Sequence, residues 1–359
     1  MTIRGRSLGS VVLGAVLSLV SGCSALPGHR APVAAPVTPQ AQVLVDGAAT
    51  IRAASPIELV AAQVPSLEAA APERRTLSSC MAERGGSLLI NRDDPRVEKT
   101  VALTFDDGPH VTFTPAVLDL LAAHHVQATF FVVGRAINSH TYGLIQRTIA
   151  AGHTIGSHSY DHDVEMASAY GGEAGVEYIV GEHVTTQALV DLALVATSED
   201  DFNALYTRVF DVQPFAWIMK DKLRTDHEVF AARTSEVLRE RGVEQAHAYP
   251  IAFYRPPGGG TYLGSQDTPA AKRYQEALDR LGLVNVLWHG ATGETEEGRA
   301  HDVGYQQSNM TWATRRGGVL LVHDAIEKAA LARGLDQMEM DGVSVVSLES
   351  MARAKLGCE

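Results

Sequence analysis

Basic residues are in deficit: 30 Lys and Arg stand against 42 Asp and Glu in 359 residues, a formal net charge of -12. That balance excludes general nucleic-acid binding and a polybasic membrane patch. Cysteine is scarce, with three residues at positions 23, 80 and 358, too few for a disulfide-built small scaffold. A run long enough to span a bilayer comfortably is missing as well, since the apolar stretch Leu8 to Val20 is too short. No internal repeat is visible. What remains is an ordinary globular composition, 45% hydrophobic and 20% charged, with room for one large domain plus appendages.

The N-terminus reads as an export signal. Arg4 and Arg6 precede the apolar run, which ends in Val20-Ser21-Gly22-Cys23, a pattern that resembles the lipobox at which bacterial lipoprotein signals are cleaved and the cysteine lipidated. The expectation is residues 1–23 as signal peptide with Cys23 lipidated, a protein exported to the cell envelope, and attachment to a membrane through the lipid. From 24 to 75 the chain is rich in Ala, Val, Gln and scattered Pro, which reads as an extended tether, short helical turns within Thr50 to Gln63 being allowed. Residues 76–359 form the expected folded domain. In an oxidising compartment Cys80 and Cys358 are the pair left to bond, two free thiols being the alternative.

Beyond about Arg96, strand-like and helix-like segments alternate. VALTF, ATFFVVG, HTIGSH, IAFYRPP, LVNVLWH, GGVLLVHD and VSVVSL read as strands, with amphipathic helices at Pro115 to His124, Tyr142 to Ala151 and Ala270 to Leu281. Repeated β-then-α units predict α/β architecture around a parallel sheet, in this number a (β/α) barrel or a relative of it. Chemistry is then expected at the C-terminal strand ends, where Asp106, Asp107, His158, His162, Arg255, His289, His323 and Asp324 fall.

Two of these need explaining first. Asp106 and Asp107 are like charges side by side at the end of a buried strand, in VALTFDDGPH. Such a pair costs stability unless a cation or a reaction uses it. HSYDH, His158 to His162, sets two imidazoles four apart, so a helical turn or tight loop can aim both at one ion. With one aspartate they make the two-His-one-carboxylate set of hydrolytic metal sites.

TFDDGP at Thr104 to Pro109, ATFFVVG at Ala128 to Gly134, GHTIGSHSYDH at Gly152 to His162, RPPGG at Arg255 to Gly259 and LVH at Leu321 to His323 resemble the ordered motifs of polysaccharide deacetylases, the NodB-homology domain of carbohydrate esterase family four. The resemblance implies a distorted (β/α) barrel with Asp107, His158 and His162 binding a divalent metal, zinc first, with cobalt, manganese or nickel as alternatives. It implies Asp106 as general base acting on water activated at the ion, and Arg255 holding Asp106 ionised. A backbone N–H near Gly258 would join the ion in stabilising the oxyanion, His323 would protonate the leaving amine, and Trp288 would contact substrate. The expected substrate is an N-acetylated amino-sugar polymer, peptidoglycan or an exopolysaccharide. An O-acetyl ester, another amide, or a metal-retaining sugar-binding lipoprotein with little activity are the competing readings.

The chain departs from the family pattern at three places. Gly258 stands where an aromatic residue usually follows RPP. Ala291 and Thr295 fall where the fourth motif carries an aspartate and a second tryptophan, leaving Glu294, Glu296 or Asp302 as replacement partners for His323. A helical insertion of about 171–246 separates HSYDH from Arg255, with helices expected at Val184 to Val195, Phe202 to Phe210 and His227 to Arg241. Tyr206, Phe210, Phe215 and Trp217 within it could wall the site, a structural cap being the alternative.

Overall fold

The computed structural model describes residues 77–84, 88–263 and 267–358. Cys23, the expected signal run and the expected tether lie outside the described residues. The order is α1 (Leu77–Arg84), β1 (Leu89–Ile90), β2 (Thr100–Asp106), α2 (Phe113–Ala123), β3 (Thr129–Val132), α3 (Tyr142–Ala150) and β4 (Thr154–Ser157). Four helices follow before the next strand: α4 (Met166–Ala169), α5 (Gly172–Val195), α6 (Glu199–Phe210) and α7 (Lys220–Glu240). The chain closes with β5 (Phe253–Tyr254), α8 (Pro269–Leu281), β6 (Val284–Val286), β7 (Gly290–Ala291), α9 (Val303–Arg316), β8 (Gly318–His323), α10 (Lys328–Met340), β9 (Ser344–Val345) and α11 (Leu348–Leu356).

Every strand pairing among these is parallel, in the order β1-β6-β5-β4-β3-β2-β8-β7, with β9 beside the start of β2. The outer strands β1 and β7 are not hydrogen-bonded to each other in this order, so the described sheet is an incomplete (β/α) barrel. Strand alternation assigns the faces. On β2, Val101, Leu103 and Phe105 join the cluster that contains Val117, Leu118 and Leu121 of α2. Ala102 belongs instead to a second cluster with Phe131, Val284, Val286 and Val319, closed by Leu77 of α1 and Leu348, Ala352 and Leu356 of α11. Thr104 and Asp106 share the face of Ala102. The inner face therefore has an apolar floor and a polar upper end.

Cys80 of α1 and Cys358 just after α11, 278 positions apart in the chain, are joined by a disulfide with Cα atoms 6.6 Å apart. It ties together the two helices that cover the floor.

The insertion is not a loose cap. α5 is buried along most of its length, as a helix apolar on nearly all sides must be. It starts at Gly172, well before the expected Val184, and α7 starts at Lys220 rather than His227. Gly181 is where the α7 backbone at Leu223 comes so close that a Cβ has no room. Tyr206 and Phe210 face this interior at 6% and 0% exposure. Phe215 and Trp217 remain exposed.

Candidate active site

Asp106 and Asp107 diverge because of their backbones. Asp106 ends β2 in the ladder, 2% exposed, its side chain turned inward. Asp107 takes φ 72°, a left-handed conformation that Asp tolerates better than most residues. The turn carries its carboxylate to the HSYDH loop, where Oδ1 lies 3.4 Å from His158 Nε2 and 3.2 Å from His162 Nε2. Burial pushes the Asp107 carboxyl up, but the hydrogen bonds from His158 and His162 outweigh it and hold the group well below the usual carboxylate range.

The loop that presents the imidazoles is a non-helical turn, with Ser159 at φ 66° and His162 at φ 61°. His158 N–H donates to the Val132 carbonyl and His162 N–H to Ser159 Oγ. Gly134 and Arg135 N–H donate to the carbonyls of Ser159 and Tyr160 at 2.8 Å. From the other side, Oε2 of Glu182 on α5 accepts the N–H groups of Tyr160 (2.8 Å) and Asp161 (3.1 Å). Glu182 is fully buried, and burial followed by the Asp161 charge pushes its carboxyl up to about 8.

The donor set fits a first-row divalent ion. One ligand atom from each of Asp107, His158 and His162 lies within 4.8 Å of the others. His158 Nδ1 sits 2.8 Å from the Arg255 carbonyl. That oxygen can only accept, so Nδ1 donates to it, and Nε2 is the ring atom turned toward Asp107 that would bind an ion once its own proton is displaced.

Beside this triad, Asp106 Oδ1 accepts from Arg255 Nη1 at 2.6 Å, and its Oδ2 lies 3.7 Å from His158 Nε2. Arg255 is completely buried. A buried cation is costly unless its donors are met, and here they are: Nη1 also reaches Thr104 Oγ1 at 2.9 Å, Nε reaches the Val286 carbonyl at 3.0 Å and Nη2 the Leu287 carbonyl at 3.5 Å. The guanidinium lies 4.2 Å from the centroid of Phe131 and 5.8 Å from that of Trp288. Burial lowers the guanidinium from its ordinary value while Asp106 opposes that.

On the opposite flank, His323 is the β8 residue in register with Asp106. Its Nδ1 lies 2.9 Å from Glu294 Oε1, which also accepts the His323 N–H, while Glu294 Oε2 accepts from Thr292 Oγ1. Burial lowers the imidazole, but the Glu294 hydrogen bond and the charge of Asp106 outweigh it, so His323 is raised. Burial raises Glu294, and His323 and Thr292 bring it below its ordinary value. Of the three carboxylates open to sequence reading, Glu294 is the partner. Glu296 binds Tyr305 Oη at 2.7 Å and Asp302 caps α9 through the Tyr305 N–H at 2.9 Å.

Asp106, Asp107, His158, His162, Arg255 and His323 are thus brought together, with Trp288 against Arg255. Gly258 is exposed at φ 59°, opening the Pro257–Leu263 turn, with Val164 near where its Cβ would stand. His289 is a correction. Its Nδ1 accepts the Val319 N–H at 2.9 Å, near the start of β8 and therefore at the other end of that strand from His323. The strand β6 ends at Val286, and the chain has turned back before His289.

Thr104, Glu182 and Thr292 escaped sequence reading. Thr104 had a signal, since it shares a strand face with Asp106 at i, i+2; the other two had none.

A family model described as polysaccharide deacetylase matches residues 93–174. The chain is 51% identical over 67 residues to peptidoglycan-N-acetylglucosamine deacetylase PgdA of Listeria monocytogenes, covering 19% of this chain and 14% of that protein. It is 51% identical over 63 residues to chitooligosaccharide deacetylase of Sinorhizobium fredii, covering 18% and 29%. The chain thus spans less than a third of the length of these curated relatives. The structure of a Streptococcus mutans CE4 esterase aligns with TM-score 0.45 at 23% identity, over 70% of this chain and 86% of that one. Arg255, Glu294 and His323 lie beyond residues 93–174. The stretch that carries Asp106, Asp107, His158 and His162 lies within the residues, 93–174, that match the polysaccharide deacetylase family model.

Proposed function

We propose that this chain hydrolyses N-acetyl groups from an N-acetylglucosamine-containing polymer, with a divalent ion held by Asp107, His158 and His162. Zinc is the first candidate and cobalt, manganese and nickel the alternatives, because one carboxylate and two imidazoles suit that group of ions. The observation that carries the reading is Asp106 and His323 at one level on adjacent strands, the first paired with buried Arg255 and the second with Glu294, with the triad beside them.

When bound, the ion supplies Lewis acidity that polarises an acetyl carbonyl and makes water a better acid. Arg255 fixes Oδ1 of Asp106, leaving Oδ2 on the side of His158 to take a proton from attacking water. His323, raised by Glu294, holds a proton on Nε2 to pass to the leaving amine as the C–N bond breaks. Products are acetate and a free amino sugar. Acetate release from N-acetylglucosamine oligomers and peptidoglycan, with O-acetylated xylan in parallel, tests the reading. Loss with chelator and in Asp106→Asn is expected; equal turnover by Asp106→Asn, or release from the ester alone, refutes it.

The reading extends to location. A signal ending at Cys23 supports an exported lipoprotein of the cell envelope, and fatty-acid labelling lost in Cys23→Ser is the expected result; labelling that persists, or none in the wild type, refutes it.

A further inference from the structure

Beside the HSYDH loop lies a cleft of 260 Å³ lined by Arg135, Asn138, Asn203, Tyr206, Phe215 and Trp217. Its volume is below the range of about 300–1,000 Å³ that holds a drug-sized ligand, and its walls mix aromatic faces with amide and guanidinium donors. Trp217 is 61% exposed and Phe215 56% exposed. Leaving two large rings in water is unfavourable, yet the backbone that carries them is firmly held. The Ala216 carbonyl accepts from Tyr206 Oη at 2.9 Å, Ile218 N–H donates to Tyr160 Oη at 3.0 Å, and Ile218 itself is buried. Lys220, which opens α7, pairs with Asp163. The Arg135 guanidinium lies 4.5 Å from the Trp217 ring centroid. Trp217 is therefore a fixed aromatic platform.

The same hydrogen bonds tie the platform to the candidate site. Tyr160, whose hydroxyl holds Ile218 and whose carbonyl holds Arg135, stands two residues from both His158 and His162. We infer that this cleft is a sugar-binding subsite, taking one N-acetylhexosamine unit of the polymer at a distance from the unit that is deacetylated. The inference rests on the reading under Proposed function for its substrate class. A pyranose ring offers an apolar C–H face, which stacks on the electron-rich face of an indole, and a rim of hydroxyl and acetamido groups, which the amides of Asn138 and Asn203 and the guanidinium of Arg135 can bind. The insertion, which brings Asn203, Phe215 and Trp217, then contributes to the choice of polymer length.

The test uses the full chain and N-acetylglucosamine oligomers of two and six units. In Trp217→Ala, KM for the hexamer is expected to rise about 2- to 12-fold with kcat within about twofold, the range of losing one stacked ring. Kinetics on the dimer and the melting temperature stay unchanged. An equal rise for dimer and hexamer, or no rise for either, overturns the subsite. If the wild type releases acetate from neither oligomer, titration calorimetry with the hexamer separates the two readings. Binding that is lost in Trp217→Ala sustains the subsite while hydrolysis falls; absence of hexamer binding, or binding equal in wild type and variant, overturns the subsite.

Discussion

The two flanks of the candidate site differ in how many groups hold them. On one flank, Asp106 is fixed by Arg255, whose guanidinium is anchored by Thr104, Val286 and Leu287 and covered by Phe131 and Trp288. On the other, one carboxylate, Glu294, orients the His323 ring through Nδ1. The first flank draws on β2, β3, β5 and the end of β6, so few substitutions preserve it. The second depends on a single loop residue after β7, and a carboxylate reaching in from another position can serve. This is why Ala291 does not leave His323 without a partner.

The largest effect is expected from Arg255→Met. Removing the guanidinium leaves the buried Asp106 carboxyl without its arginine partner, at a cost of about 3–5 kcal/mol in unfolding free energy. Acetate release should fall by at least about 100-fold. Metal affinity should stay within a few-fold, because Arg255 touches His158 through its main-chain carbonyl, which the substitution retains. Denaturant titration, kinetics and competition with a chromogenic chelator read these separately. Metal affinity lost in parallel with activity would show that the two halves of this flank are not separable.

Glu294→Gln should act less strongly. The amide oxygen can still accept from His323, but the charge is gone, so His323 loses part of what raises it while the charges of Asp106 and Asp107 remain. We expect kcat to fall about 10- to 100-fold and the alkaline limb of the kcat profile to move to lower pH. The direction follows from the role: a general acid must be protonated, and a lower pKa empties it at lower pH. A profile that keeps its alkaline limb means that something other than Glu294 sets the acidity of His323.

Glu182 tests whether the insertion supports the ligand loop. Its folded value of about 8 lies above the ordinary 4.5, so the folded state binds the proton more tightly than the unfolded chain. Its contribution is then complete below 4.5 and is lost as pH rises through 8. Glu182→Gln should flatten that part of the stability profile in urea titrations. Glu182→Ala, which strands the Tyr160 and Asp161 N–H groups, should cost about 2–4 kcal/mol. A steeper alkaline fall in Glu182→Gln than in the wild type contradicts the assignment.

Much of this site could be read from sequence where adjacent residues do the work. Asp106 and Asp107 share a strand end, and His158 and His162 share one loop, so their chemistry is written in short patterns. The parallel sheet was legible for the same reason, each buried strand being a short apolar run. Arg255 required a resemblance, because its partner is 149 positions away. Glu294 stayed one of three choices, since residues 294, 296 and 302 differ in loop geometry rather than in chemistry. The insertion was read least well: its glycines serve close helix packing, a tertiary cause invisible to local propensity.

The smallest effects are expected at the two carboxylates that lost that choice. Glu296→Gln removes the charge beside an exposed Tyr305 hydroxyl. Asp302→Asn keeps a side-chain oxygen for the Tyr305 N–H, and Asn caps helices about as well as Asp. Neither carboxylate is bonded to His323 in this arrangement, so both variants should keep kcat within about twofold and leave the alkaline limb in place. Exposed charges at this distance are also screened by salt, and any residual shift should shrink as ionic strength rises. If either variant moves the limb as far as Glu294→Gln does, and salt does not reduce the shift, the partner of His323 during turnover is not the one seen here, and the flank with fewer contacts rearranges on binding substrate.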